Sequence, residues 1–293
     1  MTIPGFEETR QEVGEASYLV NWGGDGPPVV LLHGFPETHA CWHRVAPPLA
    51  ESHHVIAPDL RGYGASEAPP GGPKGEGYTK REMAADLVRL MRDLGHQRFA
   101  VVGHDRGARV AYRLALDHPD LVERVALLNV VATIDQFERM GGGPSLGYWP
   151  WFLLAQPAPF PERLLAGDPA AFRDHIFASW PSDPDAIEAE QRKAYLEALT
   201  TSTAAAMCGD YRASFHLDRQ HEADDRAAGR RITCPTLVVT GDDETQLADA
   251  GEVWATWADD VQAERVPGGH FIPEESPDEL VHFLSRFLTG RAR

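Results

Sequence analysis

The chain has 293 residues, which is near the upper length for a single hydrophobic core, so we expect one domain or one core that carries an insertion. Its 27 Lys and Arg residues and 44 Asp and Glu residues give a formal net charge of −17, which argues against nucleic acid and anionic membranes as partners. With 43% hydrophobic and 24% charged residues, the composition is that of a globular protein and not of a disordered chain.

The sequence favours a cytoplasmic location. The first residues, MTIPGFEETRQEVGEA, carry acidic side chains where a signal peptide would have a basic start and an apolar stretch. The longest apolar runs are far shorter than the roughly 20 residues that a membrane span needs. Cys41, Cys208 and Cys234 lie far apart in the sequence, which is typical of buried free thiols in a reducing compartment.

Strand and helix patterns alternate along much of the chain. Short apolar runs that stop at His33-Gly34 and at Pro58-Asp59 are typical of strands buried on both faces. Between the second and third of these strands, Thr79 and Glu82 have capping-box spacing and Gly95 can close the end, which predicts a helix. The predicted strands lie at residues 28–32, 54–57, 98–102, 122–131 and 235–240.

Residues 134–230 have a different pattern, with clustered aromatic residues and prolines, helical periodicity and little strand signal. We therefore predict an α/β fold, with a mostly parallel twisted sheet covered by helices on both faces. Its core would comprise residues 1–133 and 231–293, and residues 134–230 would form an inserted helical cap. Because active sites of open α/β sheets lie beyond the carboxyl ends of the strands, this cap would cover the site.

The segment GHDRGAR, residues 103–109, carries the clearest chemical signal. It follows a predicted strand, precedes a predicted helix, and has the form of a nucleophile elbow, in which small residues permit a sharp turn that exposes one side chain. Here that side chain is Asp105. A carboxylate that attacks a saturated carbon gives an ester that water can open, so we expect an sp³ carbon as the electrophile.

Two further segments support the elbow. HGFP, residues 33–36, follows the first predicted strand, so the backbone N–H groups of Phe35 and Arg106 could form an oxyanion hole. PGGH places His270 in a turn late in the chain, in the order expected for a base that activates water. The spacing of His39 and His43 would suit a metal, but a third ligand is not evident, and we predict no metal site.

The segments HGFPE, DLRGYGAS, GHDRGAR, YWPWFLLAQPAPFPE, GDYRAS and PGGHF together resemble the haloacetate dehalogenases of the α/β-hydrolase fold, the fluoroacetate enzymes in particular. The resemblance extends over nearly the whole chain. It implies that Asp105 is the nucleophile and that His270 is the base. It implies that Arg106 and Arg109 clamp the carboxylate of the substrate and that Trp151 and Tyr211 hold the leaving halide, with no cofactor and with a homodimeric assembly.

The two arginines also point to an anion when considered without the resemblance. They lie in the first turn of the predicted elbow helix, where the macrodipole disfavours cations, and their i, i+3 spacing places them near one face. We expect an anionic partner to compensate them, and a bidentate carboxylate suits the planar guanidinium group.

The chain departs from the family pattern at two positions. The fluoroacetate enzymes have a histidine before the cap tryptophan, but this chain has Pro150, which cannot donate a hydrogen bond. Where the family has its triad aspartate this chain has Asn129, which cannot stabilise an imidazolium by charge. Glu244, three residues after Gly241 at the end of the next strand, is the predicted replacement.

The leading hypothesis is hydrolytic dehalogenation of a small anionic substrate, a short 2-haloacid, through an aspartyl ester at Asp105. One alternative is an epoxide hydrolase, which would use the same Asp and His with cap tyrosines chosen from Tyr148, Tyr195 and Tyr211. Another is a non-catalytic carboxylate binder, which the asparagine at position 129 suggests.

Overall fold

In the computed structural model, which describes residues 2–141 and 146–290, eight strands form one sheet. The strands are β1 (Glu7–Val13), β2 (Ala16–Gly23), β3 (Pro28–Leu32), β4 (His54–Pro58), β5 (Phe99–His104), β6 (Val122–Leu128), β7 (Thr236–Gly241) and β8 (Val261–Val266). Their order across the sheet is β1-β2-β4-β3-β5-β6-β7-β8. From β4 to β8 neighbouring strands run parallel, whereas β1 and β2 form an antiparallel hairpin at one edge.

The central strand β5 is buried along its whole length, because helices cover both faces of the sheet. Outside the cap, the helices are α1 (Ala46–Ala50), α2 (Lys80–Asp93), α3 (Arg106–Asp117), α11 (Ala250–Trp254), α12 (Ile272–Glu275) and α13 (Pro277–Leu288). Helix α2 begins at the predicted capping box, in which Thr79 and Glu82 bond each other's backbone. The sheet and its helices confirm the predicted fold class.

The described residues between β6 and β7 form helices and no strand, and we keep residues 134–230 as the predicted cap. The helices of this region are α4 (Thr133–Arg139), α5 (Trp149–Leu154), α6 (Phe160–Gly167), α7 (Pro169–Ser179), α8 (Ala189–Ala198), α9 (Thr201–Ala213) and α10 (Arg219–Ala227). A π-helical turn, Ser214–Asp218, joins α9 to α10. Across residues 2–141 and 146–290, every helix is too short or too polar to cross a membrane.

Candidate active site

Asp105 lies at the tight turn between β5 and α3. Its backbone has φ 43° and ψ −109°, a left-handed conformation that non-glycine residues rarely adopt and that aims the side chain above the strand ends. The glycines on either side make the turn possible. A Cβ on Gly107 would lie 2.3 Å from the carbonyl oxygen of Leu32, and one on Gly103 would lie 2.5 Å from the nitrogen of Ala108.

We expect the Gly107→Ala substitution to lower the free energy of unfolding by about 2–3 kcal/mol, because the added methyl group meets backbone that cannot move aside. Urea denaturation measures this change. Gly167→Ala is the matched control, since a Cβ at Gly167 meets no atom within 4 Å and should leave the stability nearly unchanged. Equal effects of the two substitutions would contradict the packing argument.

The Asp105 carboxylate is held in its charged form. Burial disfavours the charge, but the nearby charges of His270, Arg106 and Arg109 hold the pKa of Asp105 below its usual value. The backbone N–H of Phe35 donates to Asp105 Oδ2 over 3.1 Å, as expected for the predicted oxyanion hole. For the predicted role of Asp105 as a nucleophile, this bond leaves Oδ1 as the attacking oxygen.

His270 and Glu244 form a pair beside Asp105. The His270 Nδ1 lies 3.4 Å from Glu244 Oε1, and the His270 Nε2 is buried without a hydrogen-bond partner among the described residues. Burial alone would lower the pKa of His270, but the hydrogen bond and charge of Glu244, together with the charge of Asp105, raise it to about 9. Glu244 thus occupies the position that a triad acid would need.

The Asn129 side chain contacts backbone groups in place of the His270 ring. Its Nδ2 donates to the carbonyl oxygens of Gly269, at 2.9 Å, and His270, at 2.7 Å, and its Oδ1 accepts from the N–H of Gly241. Asn129 therefore joins the loop that carries His270 to the end of β7. The imidazole ring of His270 contacts Glu244 instead. A carboxylate at position 129 would lack the two donated hydrogen bonds.

Arg106 is fully buried and bonded to the cap. Its Nε donates to Asp210 Oδ2 over 3.0 Å, and its Nη2 donates to Asp210 and to Ser214 Oγ. The sequence predicts that the substrate is the compensating anion, but for Arg106 much of the compensation comes from Asp210 on α9. Its role in a substrate clamp stays a prediction, for which Nη1 is the nitrogen without a partner among the residues described.

Arg109 lies at the cavity wall and is held by neutral oxygens. Its Nη1 donates over 3.1 Å to both the carbonyl oxygen of Val131 and Thr133 Oγ1. Its Nε is buried and unbonded within the described part of the chain. Of the two predicted clamp residues, Arg109 is the one that borders the cavity beside Asp105.

Trp151 and Tyr211, which the resemblance assigns to the leaving halide, stack on the arginines. The Arg106 guanidinium lies 4.2 Å from the centre of the Tyr211 ring and 4.9 Å from that of Trp151. Arg109 lies 4.6 Å from the Trp151 ring. Such cation–π contacts fix the rings and polarise their N–H and O–H groups, which favours donation to an anion.

These side chains surround a cavity of about 560 Å³. Six predicted site residues line it, namely Asp105, Arg109, Trp151, Tyr211, Glu244 and His270. Pro150 also lines the cavity, at the position where the resemblance implies a halide donor. Phe35 contributes its backbone N–H, and Arg106 lies behind the aromatic rings.

The tyrosines of the epoxide-hydrolase alternative separate into two groups. Tyr148 and Tyr211 line the cavity with Asp105. Tyr195 is fully buried and donates to Glu274, so its hydroxyl is used elsewhere. Tyr148 and Tyr211 are therefore the two of these three tyrosines that could protonate the ring oxygen of an epoxide.

Sequence reasoning missed two groups that support the site. The first is Asp210, which lies 104 residues from Arg106 in the chain. The second is the pair Glu37 and His104, in which His104 Nδ1 lies 2.9 Å from Glu37 Oε2 and Nε2 lies 2.7 Å from the His270 carbonyl oxygen. All three residues lie within segments that carry the family resemblance, namely GDYRAS, HGFPE and GHDRGAR. That resemblance was the sequence signal that could have pointed to them.

The sequence profile of the α/β hydrolase fold family matches residues 27–277. The chain belongs to this family. Within it, the chain is 39% identical to a fluoroacetate dehalogenase from Burkholderia sp over 97% of this chain and 94% of the relative. It is 31% identical to a soluble epoxide hydrolase from Corynebacterium sp. (strain C12), over 90% of this chain and 91% of the relative.

A solved structure of this family extends the comparison. A variant of a putative epoxide hydrolase from Pseudomonas aeruginosa, with bound MFA, is 40% identical and has a TM-score of 0.94. The alignment covers 99% of this chain and 98% of that one. The backbone is therefore shared with a protein described as a putative epoxide hydrolase, while the sequence is similar to relatives described by either chemistry, so the side chains must distinguish between the two.

Proposed function

We propose that the protein catalyses hydrolytic dehalogenation of a short 2-haloacid, giving a 2-hydroxy acid and halide. The observation that carries the proposal is the charged Asp105 carboxylate, which faces a cavity that also presents Arg109 and the unbonded His270 Nε2. The 39% identity to a fluoroacetate dehalogenase supports the same chemistry.

In the first step, Asp105 Oδ1 attacks the carbon that bears the halogen. The new C–O bond forms as the C–X bond breaks, and the halide leaves with the bonding electrons toward Trp151 and Tyr211. Arg109, with Arg106 behind it, orients the carboxylate of the substrate. The product of this step is an ester at Asp105.

In the second step, His270 takes a proton from water, and the hydroxide attacks the Asp105 carbonyl carbon. The N–H groups of Phe35 and Arg106 stabilise the oxyanion on the former Oδ2. Glu244 stabilises the imidazolium. Collapse of the tetrahedral intermediate breaks its bond to the substrate oxygen, which takes the proton from His270 and leaves as the 2-hydroxy acid. The proton of the added hydroxyl then passes from Asp105 to solvent, which restores the carboxylate, so one water is consumed and one proton is released with each halide.

The halide preference tests this reading. Fluoride is the poorest leaving group of the halides and depends most on donors in its pocket, and Pro150 removes one such donor. We expect halide release from chloroacetate and bromoacetate to be faster than from fluoroacetate, as measured with an ion-selective electrode or by ion chromatography. Fluoroacetate as the best substrate would contradict this prediction.

The second candidate is an epoxide hydrolase. Tyr148 and Tyr211 line the cavity and could protonate the ring oxygen, and a 31% identical relative is described as a soluble epoxide hydrolase. Formation of a diol from a neutral epoxide, without halide release from any haloacid, would favour it. Arg109 at the cavity wall favours an anionic substrate instead.

A non-catalytic carboxylate binder was suggested by Asn129. The position of Glu244 beside His270 weakens that suggestion, because a carboxylate is available to the base without an aspartate at position 129. Tight carboxylate binding with no turnover of haloacids or epoxides would favour the binder.

We also propose a homodimer in the cytoplasm. The three cysteines are free and buried, as expected in a reducing compartment. Among the described residues, the large apolar side chains that stay exposed all belong to the predicted cap, which supports an interface there. They are Leu146, Phe152, Phe160, Leu164 and Phe215.

A further inference from the structure

Three arginines of the elbow helix α3 are tied to the cap through buried carboxylates. Arg106 bonds Asp210 of α9, and Arg113 bonds Asp225 of α10 over 2.5 Å. Arg109 is linked indirectly, since its partner Thr133 bonds Tyr112, whose hydroxyl donates to Glu222 of α10. The cap therefore contacts the helix that follows the nucleophile at three successive turns.

Of these three links between α3 and the cap, the one at Arg106 lies nearest to Asp105. Asp210 is fully buried, and the charges of Arg106 and Lys80 hold its pKa well below the usual range in spite of that burial. Lys80 of α2 donates to the same carboxylate, and the Tyr63 hydroxyl donates to it over 2.8 Å. Asp210 is thus fixed from several elements of the core.

The bonds from Asp210 determine which edge of the guanidinium remains free. Nε and Nη2 of Arg106 both donate to Asp210, and Nη2 also donates to Ser214 Oγ over 2.7 Å. Nη1 is left as a buried donor with no partner among residues 2–141 and 146–290. A buried donor without a protein partner needs another partner, such as water or a ligand, and the Arg106 guanidinium that carries Nη1 lies beside the ring of Tyr211, which lines the cavity.

We propose that Asp210 is a positioning residue of the active site, which holds Arg106 so that Nη1 and the stacked Tyr211 and Trp151 rings are set for an anionic substrate. The inference rests on the proposed function and adds a determinant of substrate binding to it. Asp210 itself touches no reacting atom. Its effect passes through Arg106 to the carboxylate and to the two aromatic donors.

Charge and geometry make opposite predictions for loss of Asp210. By charge alone, Asp210→Asn removes a neutralising anion from Arg106 and Lys80 and should strengthen the binding of a carboxylate. By geometry, it frees the guanidinium to turn, so that Nη1 and the rings lose their arrangement and carboxylate binding weakens. A positioning role requires the second result.

The test measures the dissociation constant of acetate by isothermal titration calorimetry, and KM and kcat for chloroacetate. We expect Asp210→Asn to weaken acetate binding about tenfold or more. It should also raise KM more than it lowers kcat, because the contact between Arg106 and the substrate carboxylate is made in the ground state as well as in the transition state. Asp225→Asn is the matched control, since it breaks a buried ion pair of the same helix away from Asp105. It should lower the melting temperature and leave acetate affinity within about twofold.

Ser214→Ala provides a milder variant if Asp210→Asn does not fold. It removes one hydrogen bond to Arg106 Nη2 and should weaken acetate binding about threefold. Unchanged or tighter acetate binding in either variant would overturn the inference, as would an equal loss in Asp225→Asn or an absence of acetate binding in the wild type. Failure of the wild type to release halide would overturn the proposed function, while the acetate comparison would still decide the role of Asp210.

Discussion

Incubation of the His270→Asn variant with chloroacetate should give a stable covalent adduct at Asp105. In the proposed mechanism His270 is the base for the attack of water on the ester, so without it turnover should fall by about 10²- to 10⁴-fold while the alkylation step continues. Alkylation slows but persists, because Arg106 and Arg109 still hold the pKa of Asp105 below its usual value after the charge of His270 is lost. The ester therefore accumulates.

Intact-mass spectrometry detects the adduct and also distinguishes the two chemistries. A haloacid adds its own mass minus that of the hydrogen halide, whereas an epoxide adds its whole mass, because no group leaves. Peptide mapping should place the adduct on the segment that contains Asp105. The double variant with Asp105→Ala is the control and should show no adduct.

The substitution should leave the histidine loop in place. The backbone N–H of His270 donates to the Trp180 carbonyl oxygen, and its own carbonyl oxygen accepts from Asn129 and lies 2.7 Å from His104 Nε2. None of these contacts needs the imidazole ring. Absence of any adduct from a folded variant, with haloacids and with epoxides, would count against both enzymatic readings.

Local patterns made much of the site predictable. The elbow needs glycines on both sides of Asp105 within five residues, and this short segment follows a run of apolar residues typical of a buried strand. The capping box at Thr79 was equally local and is present as predicted. Where a feature is determined within one turn of chain, the residue types alone are informative.

Contacts between distant segments could not be predicted in the same way. Asp210 and Arg106 are joined only when α9 of the cap lies over α3, and nothing near either residue shows the pairing. The edge strand β1 was also missed, because its sequence EETRQEV is mostly exposed and gives little hydrophobic signal. Its place in the sheet depends on antiparallel pairing with β2 across the Gly14 turn.

The candidate triad acid, Glu244, was only partly predictable from the local sequence. The position of Glu244 after Gly241 suggested a role, but three consecutive acids also mark an exposed turn, as Asp242 and Asp243 show. Only the fold distinguishes the three, because Glu244 alone turns inward toward His270. The role of Glu244 can therefore be tested against that of its neighbour.

We expect Glu244→Gln to lower the rate of ester hydrolysis at its pH plateau by about 10²-fold or more, because the imidazolium loses its counter-charge. Glu244 raises the pKa of His270, so its loss should also lower that pKa from about 9. In the proposed mechanism neutral His270 is the base, so the rate rises as the pH increases through the pKa of His270. The rising limb of the pH–rate profile should move to lower pH in the variant.

Asp242→Asn is the matched control for this result. Asp242 carries the same charge in the same loop, but it is exposed and pairs with Arg265 over 3.0 Å. Its loss should change neither the plateau rate of ester hydrolysis nor the pH at which that rate rises, since an exposed charge is screened by solvent. Single-turnover measurements of the ester from pH 6 to pH 10 would separate the two variants.

The double variant with Asn129→Asp and Glu244→Gln tests whether a carboxylate at position 129 can replace Glu244 in stabilising the charged imidazole ring of His270. The Asn129 side chain donates to the carbonyl oxygens of Gly269 and His270 and does not contact the ring, so a carboxylate there would face two oxygens that repel it. We therefore expect no recovery of the plateau and a loss of stability. Recovery of ester hydrolysis would show that the acid can act from the end of β6, and an unchanged rate in Glu244→Gln alone would remove Glu244 from the catalytic set.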